Sequence, residues 1–342
     1  MGSVKDLVVI EEPEKNKTGK AQFVFSDRYS VFDWGEMPDH IQAKGAAICT
    51  TTAYFFEKLE EKGIRTHYKG LVEEGKVKRL SELKSPRLCM EIELLRVLKP
   101  DIKGNTYDYS IYREEKANLL IPLEIIYRNS LPEGSSVFKR LQEGGLRLAD
   151  LGLNETPYPG QVLEKPLLDV STKLEASDRY LSREEAKEIA GLSEDEMEEI
   201  ERITLLINEL ITKEARRIGL VNEDGKVEFG FDEDRKLMLV DAVGTLDECR
   251  FTYKGMPVSK EIARIFYRNT SWYEEVEEAK KVDNVGWKKL VENKPPLLPP
   301  AIKDLISMLY KACCNEITQR IWFTDVPPVK EILKEIRAVL PS

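Results

Sequence analysis

The sequence predicts an α+β fold. Three observations carry the prediction: strand-like runs cluster between residues 22 and 128, helical patterns dominate after residue 182, and a β-hairpin pattern returns at residues 225–241. The chain has 342 residues, of which 42% are hydrophobic and 33% charged. It can therefore bury a sizeable core in one large or two modest domains.

The elements of the first half follow from short apolar runs and their breakers. A strand is predicted at Gln22–Phe25, and a helix over about 43–62 that ends at Gly63. Further strand-like runs stand at 65–71, 76–80, 88–99 and 119–128. Residues 129–181 are rich in Gly, Pro, Ser and Thr, so we expect long surface loops there.

Capping patterns mark the helices of the second half. Ser182 with Glu185, and Ser193 with Glu196, have the spacing of capping boxes, and the second pair opens a long amphipathic helix to about Gly219. Later helices are predicted at 259–279, at 301–320 and after the Pro327-Pro328 pair.

Charge and cysteine content exclude several classes of protein. The formal net charge is −9 and the pI is about 5.2, which argues against non-specific binding to nucleic acid or to an anionic membrane. Five cysteines without C-x-x-C spacing, and only two histidines, give no readable zinc site and fit the reduced thiols of a cytoplasmic protein. The sequence shows neither an apolar run near ~18 residues nor a secretion signal, so we expect no membrane association.

The hairpin at residues 225–241 carries an acid on each arm. If its turn centres on residues 233–234, Glu228 faces Leu239, and Asp241 lies diagonally from Glu228 on the same face, about 7–8 Å away. Mg²⁺ suits such a pair, because it takes one or two carboxylates and completes its shell with substrate phosphates. A surface hairpin with solvated acids is the alternative. A shift of one residue in register would place the acids on opposite faces.

Six short motifs in the chain combine polar or charged residues that could face a ligand. In chain order they are Gly19-Lys20-Ala21, the loop 26–33 with Lys44-Gly45, the segment 122–140, the segment 166–178, the hairpin with Asp247 and Arg250, and the segment 259–264. Together they resemble the motifs of the SAICAR synthetase (phosphoribosylaminoimidazole-succinocarboxamide synthase) family over about residues 19–272. Residues 273–342 match no part of that pattern, and we expect them to pack on the core.

The resemblance implies a fold and a reaction. The fold would be a SAICAR synthase-like, ATP-grasp-like α+β architecture with mainly antiparallel sheets, two subdomains (1–118 and 119–272) that hold ATP between them, and a helical C-terminal extension (273–342). The reaction would join L-aspartate to the carboxylate of carboxyaminoimidazole ribonucleotide (CAIR) through an acyl phosphate, giving SAICAR, ADP and phosphate in purine biosynthesis. Mg²⁺ would be the cofactor and ATP a co-substrate, and a homo-oligomer is left open.

The resemblance also implies roles for particular residues. Lys173 and Lys226 would be catalytic, and Glu228 and Asp241 would bind the metal. The ATP site would consist of Gly19, Lys20, Ala21, Lys226, Glu228 and Asp241. The substrate site would consist of Asp27, Ser30, Asp33, Lys44, Arg128, Ser135, Ser136, Asp247, Arg250, Lys260 and Arg264.

Elementary chemistry agrees with these residue types. Arg128 ends an apolar strand and is followed by the Gly134–Ser136 turn, so a planar fork of donors and free N–H groups could cradle a phosphate. Which of the two serines contacts it stays open. Lys173 could offset charge on a transferred phosphoryl group. On a helix, Lys260 and Arg264 share a face.

Each motif also has a purely structural interpretation. The loop aspartates could form local turns, Lys20 could be an ordinary turn lysine, and the basic helix face could be solvated. The chain departs from the family pattern at Gln22, Ser177, Ala242 and Thr245-Leu246. Two alternatives of function therefore remain: a small-molecule kinase on a related fold, which would not need the Arg128-Asn129 pair with its Gly-Ser turn, and a non-catalytic nucleotide-binding paralogue.

Overall fold

A computed structural model describes residues 4–104, 106–258, 260–283 and 286–340. In these ranges the protein has the predicted α+β fold, with antiparallel sheets and helices packed against them. The described helices include none with the length and apolar character needed to cross a membrane.

The first sheet belongs to the N-terminal part of the chain. Its strands are β1 (Lys5–Glu11), β2 (Gly19–Phe25), β3 (Tyr68–Glu73), β4 (Lys76–Lys78) and β5 (Cys89–Leu94). They are antiparallel, in the spatial order β1-β2-β5-β3-β4. Helix α1 (Lys44–Glu60) packs against this sheet with a largely buried surface, and Gly63 follows it with φ +79°. The strands and the helix predicted in this region are confirmed within a few residues.

The second sheet carries the hairpin. The remaining strands are β6 (Asp101–Lys103), β7 (Thr106–Asp108), β8 (Leu119–Leu120), β9 (Leu123–Leu131), β10 (Gln161–Thr172), β11 (Tyr180–Leu181), β12 (Val221–Phe231), β13 (Leu237–Val240), β14 (Cys249–Tyr253) and β15 (Met256–Pro257). The sheet runs β11-β10-β9-β12-β14-β15, and β8 and β13 also pair with β12, while β6 and β7 form a separate hairpin.

The remaining helices are α2 (Ile111–Glu114), α3 (Ser136–Gln142), α4 (Arg183–Ala190), α5 (Glu194–Arg217), α6 (Glu261–Arg268), α7 (Ser271–Val282), α8 (Pro300–Thr318) and α9 (Val329–Val339). Two of them, α4 and α5, begin at the predicted capping signals. Ser193 and Glu196 form the full capping box of α5, and Ser182 caps α4. The single helix predicted at 259–279 is wrong, because it is divided into α6 and α7, and Ser259 lies outside the described residues.

The long loops predicted at 129–181 are also wrong in part. Strand β10 has 12 residues and pairs with β9 and β11. The composition of β10 does not predict a strand, because Pro166 lies near its middle. The pairing with β9 is interrupted between Val162 and Leu167, so the proline occupies an irregular stretch without a ladder hydrogen bond.

The hairpin register differs from the prediction by one residue. Glu228 pairs with Val240 rather than with Leu239, because the turn is one residue longer than predicted. In a regular strand this shift would send Asp241 to the opposite face. However, β13 ends at Val240, and Asp241 has a left-handed backbone with φ +67°. The chain therefore turns at Asp241, and the side-chain position no longer follows strand alternation.

One hydrophobic core extends through both sheets and the C-terminal helices, from Ala21 to Ile336. Helix α8 packs on α1, and α9 packs on α8, so the extension lies on the core as predicted. Because the core is continuous, the division into 1–118, 119–272 and 273–342 stays a prediction.

Candidate active site

Polar side chains line one face of the second sheet on two neighbouring strands. Glu124 and Arg128 stand on β9, and Asp224, Lys226 and Glu228 stand on β12. Residues two apart share a face, and the register pairs Asp224 with Arg128, so these side chains form one patch. The sequence pattern of β12 therefore delivers three charged groups to the same surface.

The end of this patch nearest the hairpin turn contains carboxylates paired with lysines. Lys173 Nζ lies 2.5 Å from Glu228 Oε1 and 3.9 Å from Glu124 Oε1. Lys226 Nζ donates to Glu124 Oε1 at 2.6 Å. The two predicted catalytic lysines are thus brought together by Glu124, which the sequence prediction left out of the site.

Asp241 is held from the N-terminal sheet. Lys5 of β1 forms an ion pair with its carboxylate. His67 Nε2 lies 3.2 Å from the backbone oxygen of Asp241. A carbonyl only accepts hydrogen bonds, so Nε2 must carry the proton, and burial lowers the pKa of His67 to about 4, which keeps the ring neutral. This contact holds the left-handed turn that places Asp241.

The two acids of the hairpin interact despite the changed register. Burial, together with the charge of Asp241, raises the pKa of Glu228 to about 7. Burial also opposes the ionisation of Asp241, but Lys5 and Lys173 outweigh it and hold the pKa of Asp241 below its usual range. Lysine charges therefore balance the carboxylates of this cluster.

An apolar cavity of about 190 Å³ opens beside this cluster. Its apolar walls come from both sheets and include Leu7, Phe23, Ile92, Leu120 and Val240. Lys173, Glu228 and Asp241 lie at its polar end. The apolar cavity can take a flat ring and present the groups attached to it to lysines and carboxylates.

Arg128 anchors the other end of the polar patch. It is 1% exposed, and its guanidinium contacts Asp169 at 3.1 Å and Asp224 at 3.3 Å. Arg250 Nε donates to the same Asp224 at 2.7 Å. Ser136 Oγ lies 3.2 Å from Arg128 Nη2, whereas Ser135 caps α3 by accepting from Val137 N. Of the two serines, the structure brings Ser136 to the arginine.

A second cavity, the cation-lined cavity, has a volume of about 320 Å³. The cations that line it are Arg128, Lys226, Arg250, Lys260 and Arg264. Carboxylates line it as well, among them Glu124, Asp178, Asp224 and Asp247. Glu124 of this cavity lies 3.9 Å from Lys173, which lines the apolar cavity, so the two cavities are neighbours at this ion pair.

Asp247 is one of the carboxylates that line the cation-lined cavity. Lys44 Nζ donates to its Oδ2 at 2.7 Å, and Tyr310 Oη donates to its Oδ1 at 2.6 Å. Burial opposes its ionisation, but Lys260 and Lys44 lower the pKa of Asp247 to about 2. The predicted Lys44 and Asp247 are thus direct partners.

Other predicted residues lie further out. Asp27 accepts from the backbone N of Ala43 and of Gly45, both at 3.0 Å, and so caps the start of α1. Ser30 lines a small cavity beside Lys260, and Asp33 is exposed with φ +60°. Asp27 thus has a structural contact, but with backbone 16 and 18 residues away rather than in a local turn, and its role in substrate binding stays a prediction.

The Gly19-Lys20-Ala21 motif lies on β2, where these described residues line neither cavity. Lys20 Nζ is 3.8 Å from Glu11, and Ala21 is fully buried. A Cβ on Gly19 would stand 2.3 Å from the backbone oxygen of Glu11, so the glycine permits a close approach of the β1–β2 connection. Their role in ATP binding stays a prediction.

Sequence reasoning missed several partners of the site. Glu124 had a signal, since it follows Pro122 in a matched motif. Lys5, His67 and Tyr310 had none, because each reaches the site through tertiary packing from a distant element. Asp224 was not selected, because it is one of several acidic residues in and near the hairpin.

The donor set fits Mg²⁺ bound together with a phosphate ligand. Within the described ranges, no group of three or more His, Cys, Asp or Glu side chains could hold a metal by itself. Glu228 and Asp241 are hard oxygen donors at one end of a cavity, which is the pair that Mg²⁺ uses when substrate phosphates supply further ligands.

The fold and these two adjoining cavities define an enzyme that acts on small charged molecules. The chain belongs to the SAICAR synthetase family, whose sequence profile matches residues 2–282. A protein of Archaeoglobus fulgidus, provisionally named phosphoribosylaminoimidazole-succinocarboxamide synthase, is 52% identical over 340 residues, which cover 99% of this chain and 100% of the relative. The synthase of that name from Thermoplasma acidophilum is 32% identical, over 88% of this chain and 93% of its own.

Solved structures share the fold. SAICAR synthase from Saccharomyces cerevisiae, complexed with SAICAR, is similar with a TM-score of 0.63 and 22% identity, over 94% of each chain. A SAICAR synthetase in complex with ADP has a TM-score of 0.55 and 23% identity, over 87% of this chain and 99% of that one. At these identities the likeness concerns the fold.

Proposed function

We propose that this protein joins L-aspartate to the carboxylate of CAIR, using ATP, and releases SAICAR, ADP and phosphate in purine biosynthesis. Family membership supports the reaction. The observation that carries it is that Glu124 pairs with both Lys226 and Lys173. This carboxylate therefore joins the residues that line the two cavities. A phosphoryl group delivered from the apolar cavity would arrive at a substrate held in the cation-lined cavity.

The chemistry requires such an arrangement. An amine does not displace oxide from a carboxylate at a useful rate, so the carboxylate must first become an acyl phosphate. The γ-phosphoryl group then moves to the CAIR carboxylate, and the amine of aspartate replaces phosphate at the acyl carbon. Positioning and charge stabilisation do most of this work, and no covalent protein nucleophile is needed.

The apolar cavity is the proposed site of the adenine ring, with the phosphates directed towards Lys173 and Lys226. Glu228 and Asp241 would hold Mg²⁺, which offsets phosphate charge when it is bound. Lys173 and Lys5 form ion pairs with these acids. Nucleotide binding would therefore exchange one set of ion pairs for another.

The cation-lined cavity is the proposed site of CAIR and aspartate. Arg128 with Ser136 offers a planar fork and a hydroxyl to the phosphate of CAIR, and Lys260 and Arg264 lie across the same cavity. Asp247 and Arg250 would contact CAIR or aspartate. The other predicted contacts remain part of the proposal: Gly19, Lys20 and Ala21 for ATP, and Asp27, Ser30, Asp33, Lys44 and Ser135 for the substrate. The same proposal places the enzyme in the cytoplasm.

The test is an ADP-release assay in which ATP, aspartate and CAIR are each omitted in turn. Turnover is expected only with all three present, and SAICAR should form in equal amount to ADP. ADP release without aspartate, given an alcohol acceptor, would instead indicate a kinase. No turnover in the full mixture would contradict the proposal and favour a non-catalytic paralogue.

A further inference from the structure

The C-terminal extension contributes a buried hydroxyl group to the wall of the cation-lined cavity. Tyr310 of α8 donates from Oη to Asp247 Oδ1 at 2.6 Å. Tyr310 is 5% exposed, and the side chain of Asp247 is 1% exposed. A hydrogen bond to a charged group in such a buried place is stronger than one in water. Tyr310 lies beyond residue 282, where the family match ends.

The second oxygen of Asp247 is held from the opposite direction. Lys44, at the start of α1, donates to Oδ2 at 2.7 Å and is itself fully buried. The Lys44 ammonium also lies 5.5 Å from the centre of the Tyr310 ring. The Asp247 carboxylate is therefore fixed by two donors from helices that pack on each other.

This carboxylate retains acceptor capacity. An ionised carboxylate has about four lone-pair positions, and Tyr310 and Lys44 use one on each oxygen. Asp247 lines the cation-lined cavity beside Lys260 and Arg250. Among these cations it offers an acceptor that anionic parts of a substrate would avoid and an amino group would prefer.

We propose that Tyr310 is a positioning residue that orients Asp247 to accept a hydrogen bond from a substrate amino group. The inference rests on the proposed function, which supplies two such groups: the amine of L-aspartate and the ring amino group of CAIR. The C-terminal extension is in this way part of the substrate site as well as of the core.

The test compares Tyr310→Phe with the wild-type enzyme. The variant keeps the ring beside Lys44 and removes only the hydroxyl. The KM for one amino substrate should rise about tenfold, while kcat and the KM for ATP change little, because the lost bond orients an acceptor and leaves the nucleotide site intact. Whether the KM rises for aspartate or for CAIR identifies the amino group. Tyr310→Leu, which also removes the ring, should show a larger rise for the same substrate.

Tyr68→Phe is the matched control. Tyr68 is 3% exposed and its hydroxyl donates to Glu57 at 2.9 Å, and neither Tyr68 nor Glu57 lines either cavity. It should lower the melting temperature without changing any KM. Unchanged KM values in Tyr310→Phe, or an equal rise for all three substrates, would overturn the role of Tyr310 while wild-type turnover upholds the proposed function. A wild-type enzyme without three-substrate turnover would overturn both.

Discussion

The apolar cavity and the cation-lined cavity adjoin each other but hold their charges in different ways. At the apolar cavity the cations are lysines, and each forms an ion pair with a carboxylate that could instead bind a metal. Among the cations of the cation-lined cavity, Arg128 is the one that contacts both Asp169 and Asp224. Lysine is a flexible point charge, whereas arginine offers a planar fork that such contacts hold in place.

The difference indicates how each cavity meets its ligand. Under the proposed function, Lys5 and Lys173 would release Asp241 and Glu228 as Mg²⁺ and phosphates bind, so the nucleotide end would exchange one set of ion pairs for another. Arg128 is already oriented, so the substrate end is preorganised and needs little rearrangement. Changes at the two ends should therefore separate metal and nucleotide binding from substrate binding.

The largest effect is expected at the carboxylate pair. Glu228→Gln or Asp241→Asn should lower kcat by at least about 100-fold, because each removes charge that would hold the metal against the phosphates. Both should also weaken Mn²⁺ binding, measured by electron paramagnetic resonance in the presence of ADP. Circular dichroism should show the fold unchanged.

Glu233→Gln is the control for that pair, since it makes the same change at an exposed position in the turn of the same hairpin. It should leave kcat and Mn²⁺ affinity unchanged. Full activity in both Glu228→Gln and Asp241→Asn would remove the metal assignment and with it the contrast between the cavities.

A smaller effect should follow from changing the preorganised arginine. Arg128→Lys keeps the charge but loses the fork, so the KM for CAIR should rise about 30-fold while the affinity for ADP stays constant. Steady-state kinetics and calorimetric titration with ADP measure the two quantities. Arg183→Lys is the comparison, because Arg183 pairs with Glu201 outside the cation-lined cavity. A parallel loss of ADP affinity in Arg128→Lys would mean that the two ends are not separable.

The smallest effect is expected at His67, which contacts the backbone oxygen of Asp241. His67→Phe removes the donor to the Asp241 carbonyl, so Mn²⁺ affinity should fall about tenfold as the left-handed turn loosens. His67→Gln retains an N–H donor and should recover part of the affinity. The KM for CAIR should not change in either variant. Equal Mn²⁺ affinity in wild type and His67→Phe would show that strand packing alone places Asp241.

Much of the fold could be predicted from local signals. The capping box of α5, the glycine after α1 and the apolar runs of β2 and β9 each determine their elements through contacts within a few residues. Strand β10 could not be predicted, because Pro166 argues against a strand. The chain pairs with β9 on either side of an irregular stretch that holds this proline. The division of the 259–279 segment into α6 and α7 was likewise not visible in the spacing of its apolar residues.

The candidate site likewise contains residues that local signals predicted and contacts that they did not. Short motifs identified Arg128, Lys173, Lys226, Glu228 and Asp241 as candidates, since each is a charged residue on or directly beside a predicted strand. The hairpin register was predicted wrongly, yet Glu228 and Asp241 still interact. Alternation along a strand was the wrong reason for that interaction, and the left-handed backbone at Asp241 is the right one.

The sequence by itself determined the α+β class, the family and the chemical types of the site residues, because these reside in local patterns and short motifs. Only the tertiary structure decided which partners hold those residues. Lys5 comes from β1, His67 stands immediately before β3, and Tyr310 comes from the C-terminal extension. Their side chains contact Asp241 or Asp247. Such contacts join residues far apart in the chain, so no local pattern records them.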